Sequence, residues 1–180
     1  MALNYQYAIV VNQKLGFARI LINNAESSLL ANTIPSQQEV HAYLDSACTQ
    51  LYDAVIYLLL EILDGRHKKE KLDNLSLPIL LNQLQNLGEN NDLIKEINSL
   101  LITHSWLNEL QQFKINPSKL VEIINQSNND QINLHTTASQ HNQILASDKS
   151  APKGPTTLIN SWLINIQNIV ERHRNQALEE

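Results

Sequence analysis

Glycine, cysteine, phenylalanine and valine are scarce in this 180-residue chain, which holds 4 Gly, 1 Cys, 2 Phe and 6 Val. The glycines, Gly16, Gly65, Gly88 and Gly154, stand too far apart to build a phosphate-cradling loop. Walker-type, dinucleotide-binding and nucleophile-elbow motifs are therefore absent. A lone cysteine, Cys48, excludes an internal disulfide and fits a reducing compartment. No histidine pair is spaced i,i+4, so a closed zinc ligand set is also lacking. The longest apolar run, Ala54 to Leu60, stops at Glu61, well short of the roughly 18 residues that cross a bilayer. The apolar stretch Tyr7 to Val11 has no basic residue before it and is too short for a secretory signal. The expectation is a cytoplasmic protein without membrane insertion.

Charge is thin as well. Charged residues make up 17% of the chain, against roughly 25% in an average globular protein. The balance is acidic, with net charge −5, which argues against a dedicated nucleic-acid binder while leaving room for a local basic patch. Asn and Gln fill the gap with 22 and 15 copies, and Leu with Ile reaches 48. Abundant Leu with few Val, Gly and aromatics favours helices over sheets. The fold class expected is all-α, a bundle of five or six helices in a single domain spanning 1–180.

Periodicity supports this. Tyr7, Val11, Ala18, Ile22, Ala25 and Leu29 are spaced by three, four and seven, one face of a long amphipathic helix from about Leu3 to Leu30. Gly16 lies inside it and either tolerates a kink or lets another helix approach closely. Pro35 closes this element, and Ser36-Gln37-Gln38-Glu39 reads as a capping box opening the next. The second helix carries Val40, Leu44, Ala47, Leu51, Val55, Leu58 and Ile62 inward and stops at Gly65. A short connection between two long helices makes an antiparallel hairpin. Shorter helices are predicted over Leu77–Leu87, over Asp92–Phe113 and over Ser118–Asn125. Pro78 lies in the first turn of the first of these, and Thr103-His104-Ser105 offers a break in the second where Ser105 can cap a fresh turn. Periodicity dissolves over 126–156, a flexible loop or insertion, before a last long helix from Thr157 to Ala177.

The chemistry-bearing residues do not converge. His135 and His141 lie in the polar stretch, and Glu61, Asp64 and His67 are spaced by three at a helix end that Gly65 interrupts. Neither set makes a metal site, and the second reads as an exposed polar terminus. Cys48 lies on an apolar face and reads as a small hydrophobe with no base beside it. Trp106 and Trp162, each in a Ser-Trp-Leu tripeptide, read as core or interface anchors, and Tyr43, Tyr52 and Tyr57 as half-buried packing. The clearest charge feature is the basic run Arg66, Lys68, Lys69 and Lys71, joined near the C-terminus by Arg172 and Arg174. These six are the candidate anion-binding residues; the plainer reading is a solvated loop and a helix end with favourable electrostatics. No catalytic residue, metal ligand or cofactor is implied.

Asn12-Gln13-Lys14-Leu15 with Phe17-Ala18-Arg19 resembles the opening helix of an uncharacterised family of small helical gammaproteobacterial proteins. Ser105-Trp106-Leu107 and the segment Ile169 to Arg174 are similar to later parts of the same family. The resemblance implies an all-α bacterial protein and no activity. Helical nucleases of the HEPN type are also α-bundles; they place His four to six residues after an Arg on a late helix. Here Arg172 is followed directly by His173, and Arg19 and Arg66 have no His at that spacing. The catalytic pattern is missing. The reading preferred is a non-enzymatic interaction module that binds a protein partner or a second copy of itself. The alternative is a non-catalytic HEPN-like protein linked to nucleic acid or nucleotide through the basic run at 66–71.

Overall fold

The computed structural model describes residues 5–31, 34–63, 76–86, 92–102, 105–116, 119 and 154–179. It is an all-α bundle, with six helices and no strand among those residues. They are α1 (Tyr5–Ala31), α2 (Ile34–Leu63), α3 (Leu77–Asn86), α4 (Asp92–Ile102), α5 (Trp106–Ile115) and α6 (Pro155–Glu179). The predicted helix over 118–125, the basic run at 66–71 and residues 126–153 of the expected loop lie outside the described residues, as do His135 and His141.

The expected hairpin of α1 and α2 is present. Val11, Ala18, Ile22 and Ala25 face Val40, Leu44, Ala47, Leu51, Val55 and Leu58 in one core, and every one of them is buried. Removing each large side chain from water contributes about 1.5–3 kcal/mol. Two polar pairs mark the register: Lys14 Nζ donates to Asp53 Oδ2 at 2.8 Å, and Ser28 Oγ to Glu39 Oε2 at 3.2 Å. The fourteen-residue step from Lys14 to Ser28 on α1 matches the fourteen-residue step from Asp53 back to Glu39 on α2. Helix α2 is the hub, packed against α1, α3, α5 and α6.

Helix α2 begins earlier than the sequence suggests. Pro35 does not end α1, and Ser36 does not cap α2, because α2 already begins at Ile34. A proline in the first helical turn forfeits no intrahelical bond, since that N–H has no acceptor there. Glu39 turns to Ser28 of α1 instead of back along its own helix.

The break at 103–105 also differs in detail. Ser105 has the extended backbone of an N-cap, but its side chain makes no cap bond to α5. Its Oγ donates instead to the Leu100 carbonyl, and Asn108 Nδ2 donates to the Leu101 carbonyl at 2.6 Å. Two side chains at the start of α5 thus satisfy carbonyls that the end of α4 leaves without helical partners. Helix α6 begins at Pro155, two residues earlier than predicted, with the Leu158 N–H donating to the Gly154 carbonyl at 3.0 Å. Its inward face carries Ile159, Trp162, Ile166, Ile169 and Val170, all buried. The Trp162 ring packs against Phe113 of α5 with centroids 5.4 Å apart.

Candidate interaction surface

Helix α1 packs on α2 and α6 and turns a full side outward. Four large apolar side chains sit on that side: Ile9 is 62% exposed, Phe17 46%, Ile20 57% and Leu30 88%. At 3.6 residues per turn, Ile9, Gly16, Ile20 and Ser27 follow one line down the outer face. Gly16 is in the middle of it, and a Cβ built there would meet nothing within 4 Å. Among the described residues nothing uses the room that the glycine leaves. The outward side carries two exposed charges, Arg19 and Glu26, and neither pairs with a described residue. Seven residues apart, they share one flank about 10 Å from each other along the axis. Elsewhere the exposed α1 surface is largely amide: Asn12, Gln13, Asn23 and Asn24.

The two C-terminal arginines are engaged by carboxylates of this chain. Arg172 Nη2 lies 2.6 and 2.7 Å from the two oxygens of Glu96, joining α6 to α4. Arg174 grips Glu61 at the end of α2, Nε to Oε1 at 3.2 Å and Nη2 to Oε2 at 3.1 Å. Its remaining donors reach α1, Asn12 Oδ1 at 2.9 Å and the Ala8 carbonyl at 3.3 Å. The anion held by Arg174 is therefore the protein's own. Glu61 is not the exposed polar terminus expected of it: it is 1% exposed, inside the bundle. A faint signal that each of the two turns inward exists in the sequence, though none for their pairing. Glu61 falls three residues after Leu58 and Arg174 four after Val170, each on the continuation of an apolar stripe. The other four anion-binding candidates, Arg66, Lys68, Lys69 and Lys71, lie outside the described residues, as do Asp64 and His67.

The remaining reactive groups are sequestered. Cys48 is buried on α2, where loss of water pushes its thiol from the ordinary 9.0 up to about 12. A thiol that stays protonated is neither nucleophile nor metal ligand. Burial likewise raises the Tyr52 hydroxyl above its usual range, although the Leu77 N–H donates to it at 3.0 Å. The buried His41 Nδ1 and Gln50 Oε1 have no hydrogen-bond partner among the described residues. Nine residues apart, they point to opposite sides of α2 and do not share a site. Among the described residues no group of three His, Cys, Asp or Glu is placed to hold a metal ion.

An open hollow of about 440 Å³ lies between α3, α4 and α5. Six of its lining side chains are carboxamides: Asn82, Gln85, Asn98, Asn108, Gln111 and Gln112. They present donors and acceptors but no acid, base or nucleophile. Among the described residues no helix is long and apolar enough to cross a membrane. No protein-family model, curated protein or solved structure matches the chain.

Proposed function

We propose that this chain is a non-enzymatic interaction module whose working surface is the outer side of α1, with a protein as its partner. The observation that supports the reading is the pair Ile9 and Ile20 on one line, with Leu30 on one flank and Phe17 on the other, exposed on a helix whose other face already fills the core. Scattered apolar residues are ordinary on a surface, but four large ones on one side of a helix that carries few charges mark a contact face. The carboxamides around it suit such a role, because losing water costs an amide less than it costs a charge. The resemblance of Asn12 to Arg19 to an uncharacterised helical family belongs to the same proposal: that family, too, brings no chemistry with it.

The test is affinity capture with the whole chain, comparing the parent with Ile20→Glu in nuclease-treated and untreated lysate. Protein partners, a second copy of the chain included, are expected in both halves with the parent and in neither with Ile20→Glu. Partners that vanish on nuclease treatment and ignore Ile20→Glu would overturn the reading in favour of a nucleic-acid surface.

A further inference from the structure

We infer that the occupant of the α1 surface is a second copy of this chain, its α1 lying antiparallel across the first; this rests on the proposed function and specifies its partner. The charges set the orientation. Arg19 and Glu26 are exposed, lack partners among the described residues and share one flank of the helix. In an antiparallel pair with its two-fold perpendicular to both helices, each flank meets the same flank of the other copy. With the two-fold at the level between Ile22 and Asn23, Arg19 of each copy stands level with Glu26 of the other. Two intermolecular ion pairs form at once. A parallel pair in register sets Arg19 level with Arg19 and leaves both charges unmatched.

The apolar groups follow from the same register without further adjustment. Leu30, the most exposed large hydrophobic among the described residues, comes within about 1.5 Å along the axis of the second copy's Gly16. That is the one place on the outer line with no side chain, and none of the described residues comes within 4 Å of a Cβ there. Ile20 falls about 3 Å along the axis from the second copy's Ser27. Asn23 meets its own counterpart beside the two-fold, where one amide donates and the other accepts. Small residues thus oppose large ones, and unlike charges oppose each other.

The surface is modest. A handful of side chains per copy falls below the roughly 20–30 residues of a standard interface, so the association is weak and concentration-dependent, in the micromolar range.

Sedimentation equilibrium on the full chain, from low micromolar to about 1 mM, reads this directly. The parent is expected to dimerise. Arg19→Glu or Glu26→Arg alone sets like charges together twice and is expected to weaken the dimer about tenfold. The double variant Arg19→Glu/Glu26→Arg is expected to restore it to within about threefold of the parent. Gly16→Leu fills the seat of Leu30 and is expected to weaken the dimer while leaving the helical circular dichroism unchanged. A parent that stays monomeric throughout overturns the inference. If Ile20→Glu nevertheless abolishes capture of a different protein, the module reading survives that failure; if it does not, both fall. A dimer that is indifferent to the charge variants, or that the double variant does not restore, overturns the antiparallel register.

Discussion

Arg174 of α6 closes on both oxygens of Glu61 of α2, and the carboxylate it grips has no solvent-accessible side-chain surface. The arginine itself reaches the edge of the bundle and reserves its other donors for Asn12 and Ala8 of α1. One side chain therefore holds three helices together. A buried carboxylate that loses its counter-charge keeps the cost of leaving water and recovers nothing for it.

Arg174→Ala is expected to destabilise the fold by about 3 kcal/mol in urea unfolding. Replacing both partners with apolar residues of similar volume, Glu61→Leu with Arg174→Met, is expected to recover most of that loss, because no charge is then stranded. A double variant as unstable as Arg174→Ala would show that the hydrogen bonds to Asn12 and Ala8 carry the effect.

Tyr52→Phe removes the hydroxyl that accepts the first N–H of α3, while its ring continues to fill the core. The Leu77 N–H would be left buried and unsatisfied, a cost of about 1–2 kcal/mol. The loss is expected in global stability and, more locally, in faster hydrogen exchange at the start of α3.

Alkaline pH is expected to unfold the protein through Cys48 and Tyr52. Burial raises both groups, so the folded state keeps protons that the unfolded chain has already released. The contribution of Cys48 is fully present below pH 9.0 and is lost as pH rises towards about 12. Tyr52 acts in the same direction from 10.0 upward. Urea midpoints are expected to fall across this window, and to fall less steeply in Cys48→Ala, each variant being referred to its own value at pH 8.

Gly16→Ala is expected to stabilise the monomer by about 0.5–1 kcal/mol, since glycine in a helix interior costs that much and open space surrounds the added methyl. A gain measured in dilute solution together with a loosened dimer at high concentration would separate the local cost of the glycine from its use between molecules.

The sequence discloses the hairpin and its core because both rest on spacing within one helix. Val11, Ala18, Ile22 and Ala25 repeat by three, four and seven, and the structure buries all four. Helix ends are harder to read, because a capping side chain has a choice of partners. Ser105 stands where an N-cap belongs, yet it serves the helix it follows, through the Leu100 carbonyl. Glu39 fits a capping box and bonds across the hairpin to Ser28. The outer side of α1 is half legible. Gly16 already signals an interruption in an otherwise regular helix, but only packing shows that no part of α1, α2 or α6 claims its space. The pairing of Glu61 with Arg174 depends on which helices end up adjacent, and spacing within one helix carries no record of a partner 113 residues away.

That separation also bears on the order in which the protein is made. During synthesis α1 is finished before α2, so the hub helix meets its largest apolar cover as soon as it leaves the ribosome. Glu61 has no such companion at that moment. Its arginine is 113 residues downstream, so before α6 is made, burying the carboxylate would cost its loss of water without this counter-charge. Helix α6 therefore brings two things to that end of the hairpin at once: apolar surface and the charge that offsets the buried carboxylate.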